Sequence, residues 1–429
     1  MAVILAYGSP ALGHVYPLAA LLVELVRRGH EVHMRTMAGE VDALRAAGLH
    51  AEPVDAAIEA IDGRDLLARN AIGVLQKSID VICRRAVIEV EDFGRSIRHV
   101  RPEAVIVDAN CWGAISAAGV AGIPWSVFSP FTPYLRSRHS PPFGPGLRPL
   151  PGLAGHIRDA TMRPIVSHLF DRPAVPRINA VRKRLAAPAI NSVDALMRTA
   201  PLLLAVGGEP FEYPHPDWDD TVHFVGACTF EHEVGPTSPW LAAIERPLVL
   251  VGTSSIAQRD AQLGHVALRA LADQPVHVVA TFPAGIPRGL PRVPNATVCR
   301  FAPHEAVLDR AVCVVTHGGM GTTVKALDRG IPVCVVPFGR DQAEVARRVQ
   351  VAGCGTRLPP RRLTPRRLCD AVLRAQTMTA GARRIAAGFA ATGGVGRGAD
   401  LIEERLLSIP RCGSALPPPG GAGVRPGLS

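Results

Sequence analysis

Apolar runs alternate with apolar residues at helical spacing twice along this chain, and that rhythm admits few folds. Val3 to Tyr7 is a continuous apolar run, broken by Gly8, Ser9, Pro10 and Gly13. Val15, Leu18, Leu21, Leu22 and Leu25 then recur at helical period. The pattern predicts a strand, a loop, and a helix over His14 to Arg28 closed by Gly29, with a second strand from Glu31 to Thr36. A strand–helix–strand order of this kind builds a parallel sheet, because parallel strands need a crossover between them. Further strands are predicted at Ala104–Val107, Trp125–Phe128 and Leu202–Val206, with a helix near Trp112–Ala121.

The rhythm lapses and then restarts. Pro130 to Gly155 is rich in proline and reads as an irregular functional loop, and helical pattern resumes to about Arg198. Gly207 to Arg246 has no clear period and reads as a linker. After Pro247 come predicted strands at Leu248–Val251, His277–Ala280, Val312–Thr316 and Pro332–Val336, with a helix over Ala343–Ala352. The expected fold class is therefore α/β, as two facing Rossmann-like domains with a cleft between them. The expected boundaries are 1–228 for the first domain, 229–246 for the linker, 247–410 for the second domain and 411–429 for a disordered tail.

Composition narrows the function classes. The chain has 429 residues, 48% hydrophobic and 20% charged, enough to bury a large core and too few charges for wholesale disorder. Aromatics at 5% are too sparse for a platform that stacks nucleic-acid bases, so no nucleic-acid partner is expected. The net charge of +10 is carried almost wholly by arginine, with Lys77, Lys183 and Lys325 the only lysines, and reads as compositional bias. Nine cysteines without a Cys-x-x-Cys pair argue against a disulfide framework or zinc ribbon and suit a reducing, cytoplasmic setting. The N-terminal residues lack a basic region and read as a strand, not a signal peptide. No uncharged apolar stretch reaches membrane-spanning length, which leaves peripheral contact as the most membrane association expected.

Three constellations carry chemistry. Thr316 to Thr323 follows an apolar strand and opens a helix. Its glycines Gly318, Gly319 and Gly321, with His317 and Thr322, form a cradle for a diphosphate at a helix N-terminus. Pro337 to Gln342 again lies between a strand and a helix. Its Asp341 and Gln342 suit sugar hydroxyls, and Asp341 also suits an N-cap. His14 opens the first helix, and a histidine facing a cleft can accept a proton near neutral pH if a carboxylate orients it. Asp108, at the end of another strand of the same sheet, is the candidate. Asp217-Trp218-Asp219 reads as a solvated turn, and His30 and His33 lack helical metal spacing, so no metal is expected.

At both ends the chain resembles the nucleotide-sugar-dependent glycosyltransferases of the UDP-glycosyltransferase superfamily, closest to their actinobacterial natural-product branch. Gly13-His14-Val15 with Pro17, then Arg28-Gly29-His30-Glu31-Val32, carry the N-terminal likeness. His317 to Thr322, then Gly330-Ile331-Pro332, Pro337, Asp341-Gln342 and Gly353, carry the C-terminal one. The resemblance implies the GT-B-type architecture, with the acceptor on the N-terminal domain and the nucleotide sugar on the C-terminal one. It also implies an inverting reaction without a metal or other cofactor. By that resemblance His14 is the general base, Asp108 steadies it, and Thr253 and Ser254 approach the diphosphate. Phe301 stacks on the base, with His304 beside it. His317 and Thr322 contact the diphosphate, and Asp341 and Gln342 contact the sugar. The chain departs from the pattern at Lys325, where the family has a glutamate that holds ribose hydroxyls.

The expected function is therefore transfer of a sugar from a UDP- or dTDP-sugar to a hydroxyl of a small hydrophobic natural product or lipid. Lys325 cannot accept from ribose hydroxyls and is expected to favour a deoxyribose donor. It also keeps open an alternative, a weakly active or inactive relative acting as a binding partner.

Overall fold

The computed structural model describes residues 1–61, 71–231, 239–256, 258 and 260–408. The expected tail at 411–429 and part of the expected linker lie outside the described residues.

Two parallel sheets organise the molecule. The first holds β1 (Val3–Tyr7), β2 (Glu31–Thr36), β3 (His50–Pro53), β4 (Ala104–Asp108), β5 (Trp125–Ser129), β6 (Leu203–Ala205) and β7 (Val222–Phe224) in the order β3-β2-β1-β4-β5-β6-β7. The second holds β8 (Leu248–Gly252), β9 (His277–Thr281), β10 (Ala296–Cys299), β11 (Ala311–Thr316), β12 (Val333–Val335) and β13 (Gly355–Arg357) in the order β10-β9-β8-β11-β12-β13. Each strand order reverses once, between β1 and β4 and between β8 and β11, and ligands of open α/β sheets bind at that reversal. The fold is the two-domain Rossmann-like arrangement expected from the sequence.

Both faces of each sheet are covered, which is why strands such as β1, β4 and β8 are apolar almost throughout, whereas β2 alternates buried and half-buried residues. In β1, Ile4 and Ala6 enter one core while Leu5 and Tyr7 enter another. The first of these cores also contains Leu250, Val314 and Val335 from the second sheet, so the two domains share one continuous apolar interior.

Four strands escaped the sequence reading: β3, β7, β10 and β13. All four are sheet edges. Edge strands bury less, and three of the four residues of β3 are exposed, so they carry no apolar run to detect. The linker region likewise holds β7 and a short helix, Pro239–Ala242.

Two features tie the halves together. The helix Gly394–Ile402 follows the second sheet in sequence but packs on the first helix, Leu12–Arg27. There Arg28 bonds Asp400 at 2.7 Å and Glu403 at 2.8 Å, while His30 reaches Glu403 at 2.9 Å. The second tie is a buried ion cluster in which Arg348 meets Glu212 at 2.6 Å and Glu344 at 2.7 Å. Glu344 also accepts the Gly144 and Gly146 N–H groups, each at 2.7 Å, and so holds the 130–151 loop of one domain on a helix of the other. No helix among the described residues is long and apolar enough to cross a membrane.

Candidate functional site

His14 lies in the first turn of the helix after β1, and Asp108 is the last residue of β4. Because β1 and β4 are neighbours at the strand-order reversal, the two side chains meet. His14 Nδ1 lies 3.0 and 2.9 Å from the two Asp108 carboxylate oxygens. Asp108 is fully buried, whereas His14 keeps 17% of its side chain accessible toward the cleft. The Asn110 N–H donates to Asp108 at 2.8 Å, and the Asn110 amide nitrogen lies 3.4 Å from His14 Nε2. A carboxylate bonded at Nδ1 keeps the proton there, so Nε2 is the acceptor on the cavity side, where the Asn110 amide N–H also approaches it. The Phe131 ring stands edge-on to the imidazole with centroids 5.6 Å apart.

Across the cleft, the second sheet offers a polar wall. Thr253 and Ser254 follow β8, and His317 to Gly319 follow β11, again at a strand-order reversal. The helix Met320–Asp328 starts with no side-chain cap, so its first N–H groups and its positive dipole end are open to an anion. Gly318 has φ +93, a conformation that disfavours any side chain, and a Cβ there would meet Val335 at 2.8 Å. At Gly319 a Cβ would lie 2.5 Å from His317 Nε2. Burial pushes the His317 imidazole down, against the pull of Asp260, which lies 3.9 Å away. The same Asp260 accepts the Ser254 N–H at 2.5 Å and so shapes both loops.

Around this wall the remaining candidates take different places. Phe301, 59% exposed, lines the cavity and has the Arg300 guanidinium 5.6 Å from its ring centre. Burial, then the nearby Lys325 charge, hold the His304 imidazole at about 4, so it is neutral at physiological pH. Burial pushes the Asp341 carboxyl up, opposed by Arg340, His14 and His317. Asp341 makes no cap bond to its helix, contrary to the expected N-cap. Gln342 instead braces the loop before it, accepting from Phe338 and Gly339 N–H at 2.7 and 3.0 Å.

Lys325 is not alone in the pocket. Its ammonium lies 2.9 Å from a Glu231 carboxylate oxygen and 3.2 Å from the Phe230 carbonyl, with only 14% of its side chain accessible. The acidic group absent from the helix is therefore present beside it, supplied by the segment after β7.

Together these walls enclose a cavity of about 1440 Å³. One end holds His14 and an apolar lining that includes Trp112, Phe131, Tyr134 and Phe143, three of them from the Pro-rich loop predicted to be functional. The other end holds Thr253, Ser254, His317, Gly319, Gly321, Thr322, Lys325, Asp341 and Gln342. All the sequence candidates except Asp108 and Gly318 line it, and those two lie just behind it. Asn110, Asp260 and Glu231 were not singled out from sequence. Asn110 sits two residues past a strand end, a signal that was available; Asp260 and Glu231 sit in loops without one. Asp217, expected in a solvated turn, accepts from Ser137 and Arg138 at 2.7 Å each and anchors the apolar loop. Among the described residues no three His, Cys, Asp or Glu side chains gather as a metal site.

Comparisons with known proteins bear on the family and the fold. Residues 265–394 match the family model of the erythromycin biosynthesis protein CIII-like C-terminal domain. The chain is similar to the 4'-demethylrebeccamycin synthase of Lentzea aerocolonigenes, 30% identical over 416 residues covering 93% of this chain and 98% of that protein. It is also similar to the demethyllactenocin mycarosyltransferase of Streptomyces fradiae, at 25% identity over 95% of this chain and 87% of that one. Among solved structures, the calicheamicin glycosyltransferase CalG4 shares the fold with a TM-score of 0.73 at 22% identity, covering 95% of this chain and 99% of that one. The glycosyltransferase VinC, solved with dTDP, shares it with a TM-score of 0.65 at 22% identity, covering 94% and 99%.

Proposed function

The chain belongs to the nucleotide-sugar-dependent glycosyltransferases that act in natural-product biosynthesis, and on that premise we propose an inverting, metal-independent transfer of a sugar from a UDP- or dTDP-sugar to a hydroxyl of a small hydrophobic molecule. The observation that carries this reading is the buried Asp108 bonded to His14 Nδ1, with His14 and the uncapped helix start lining one cavity.

The acceptor hydroxyl lies against the apolar wall of Trp112, Phe131, Tyr134 and Phe143. As its oxygen bonds the anomeric carbon, its proton passes to His14 Nε2. The bond from that carbon to the diphosphate oxygen breaks on the opposite side, which inverts the centre. Asp108 acts through His14, stabilising the imidazolium that forms. The leaving diphosphate takes its charge to the N–H groups of Met320–Thr322 and to the side chains of Ser254, His317 and Thr322. Asp341, on the sugar side of the same wall, accepts from sugar hydroxyls, and Phe301 stacks on the base. Fixed dipoles and donors meet the leaving charge, so the reading needs no divalent ion. The eight described cysteines are free thiols, which suits a reducing cytoplasm.

The test is direct. The enzyme, mixed with UDP- or dTDP-sugars and polycyclic hydroxylated acceptors, is expected to release nucleoside diphosphate only when acceptor is present. A chelator should leave the rate unchanged, and the product should carry the opposite anomeric configuration by NMR. Activity restored only by magnesium or manganese, or retained configuration, would sink the corresponding part of the reading.

A further inference from the structure

Glu231 and Lys325 form a charged pair inside the cavity that the reaction itself does not use. Their side chains are 15% and 14% accessible, so both are largely withdrawn from water and their remaining surface faces the cavity. Glu231 Oε1 meets Lys325 Nζ at 2.9 Å, and Oε2 accepts the Glu305 N–H at 3.2 Å. A carboxylate has about four acceptor sites, so two remain after these bonds. Withdrawing two charges from water can cost more than their contact returns unless further bonds satisfy them, and the acceptor sites left on Glu231 line the cavity, where a ligand can fill them.

The pair's position defines that ligand. Lys325 lies four residues beyond Gly321, one helical turn from the end that holds the diphosphate in the reading above. At 1.5 Å per residue this is about 6 Å along the helix, roughly the reach from a phosphate to the hydroxyls of the attached pentose. Phe301 lines the same cavity and is exposed. A hydroxyl both donates and accepts, so two adjacent hydroxyls match a carboxylate beside an ammonium: both can donate to the open acceptor sites of Glu231, and one can accept the Lys325 N–H left after its bonds to Glu231 and the Phe230 carbonyl.

We propose that Glu231 and Lys325 together bind the vicinal 2'- and 3'-hydroxyls of a ribonucleotide donor, so that nucleotide choice is read partly by the segment joining the two sheets. The proposal rests on the donor-site reading. It replaces the expectation that Lys325 leaves ribose hydroxyls without an acceptor, because Glu231 supplies one. It also predicts that Lys325→Glu weakens binding of every nucleoside diphosphate, by putting two carboxylates side by side next to an anion.

UDP and 2'-deoxyuridine diphosphate differ only in the hydroxyl at issue, so their affinities for the full chain, measured by calorimetry, isolate it. The wild type is expected to prefer UDP by about tenfold, one charged hydrogen bond's worth of discrimination. In Glu231→Gln, and separately in Lys325→Met, the preference should shrink to about twofold or less while thermal unfolding stays cooperative. A merely structural ion pair would move stability and leave this ratio alone. A ratio unchanged in both variants, or equal binding of the two nucleotides by the wild type, overturns the proposal. If no nucleoside diphosphate binds the wild type, the donor-site reading fails and the proposal falls with it.

Discussion

At the scale of the residue, the site depends on one histidine held by one carboxylate. Asp108 has no exposure and is fixed by the Asn110 N–H, so it cannot turn away from His14 Nδ1. The imidazole is thereby oriented and its tautomer set before any substrate arrives. His14→Ala is expected to lower the transfer rate by about a hundred- to ten-thousandfold, the usual worth of a positioned base. Donor affinity should stay within about twofold, because His14 stands on the wall opposite the nucleotide. Asp108→Asn should lower the rate over a similar range, since a neutral amide neither fixes the tautomer nor stabilises the imidazolium. Steady-state rates beside calorimetric donor affinities check both. A His14→Ala enzyme that loses donor binding yet keeps its turnover would move His14 out of the acceptor side.

At the scale of the element, the turn before the helix Met320–Asp328 is shaped by what it cannot contain. The helix end is useful to an anion only if its N–H groups are bare and the chain before them is close-packed. Gly319→Ala would drive a Cβ against His317 Nε2, at 2.5 Å in the native backbone, so the imidazole must shift or the helix start must move. Either movement disturbs the anion cradle. Donor affinity is expected to fall about tenfold, with a stability loss of about 1–2 kcal/mol from overpacking. Calorimetry and thermal unfolding read the two separately, and unchanged donor affinity would mean that His317 and the helix start do not hold the diphosphate. The Arg28-Gly29-His30 segment has a different use. Its Arg28 and His30 side chains grip the helix Gly394–Ile402 and the residues just after it, so part of the N-terminal likeness reports how the chain is closed, not what it catalyses.

At the scale of the molecule, the cleft exists because the two halves are clamped around it. The Arg348 cluster joins Glu212, beyond β6, to Glu344, two residues after Gln342, and Tyr213 covers the guanidinium at 4.4 Å. Burial alone would push the Glu212 carboxyl up, but Arg348 and His215 overcome it and hold the group at about 2, below its ordinary 4.5. A value depressed by folding contributes stability that is complete above 4.5 and is lost as the pH falls toward 2. Stability is therefore expected to decline across that window. Glu212→Gln should remove this part of the decline and cost about 3 kcal/mol at neutral pH, the usual penalty for leaving a buried charge short of a partner. Denaturant unfolding at a series of pH values checks it. An acid slope identical in wild type and variant would show that Glu212 does not titrate with folding.

Most of the nine central strands, and the residues that follow them, were legible in the sequence because a strand buried on two faces is apolar, and the loops at its end must then carry the polar chemistry; the order in which the strands pair was not. His14, Asp108 and the glycines before Met320 were found in that way. The edge strands were not, because a strand with one open side needs no apolar run. Nor were the Glu231–Lys325 pair, the Arg348 cluster or the return of Gly394–Ile402 to the first domain. Each joins groups from distant parts of the chain, 94 residues apart for Glu231 and Lys325 and 136 for Glu212 and Arg348. Periodicity reports which side of an element is buried; it carries no information on which distant side chain will stand opposite. Here the tertiary structure decided what one lysine means: without Glu231 it is a cation facing a nucleotide, and with Glu231 it is half of a polar pair.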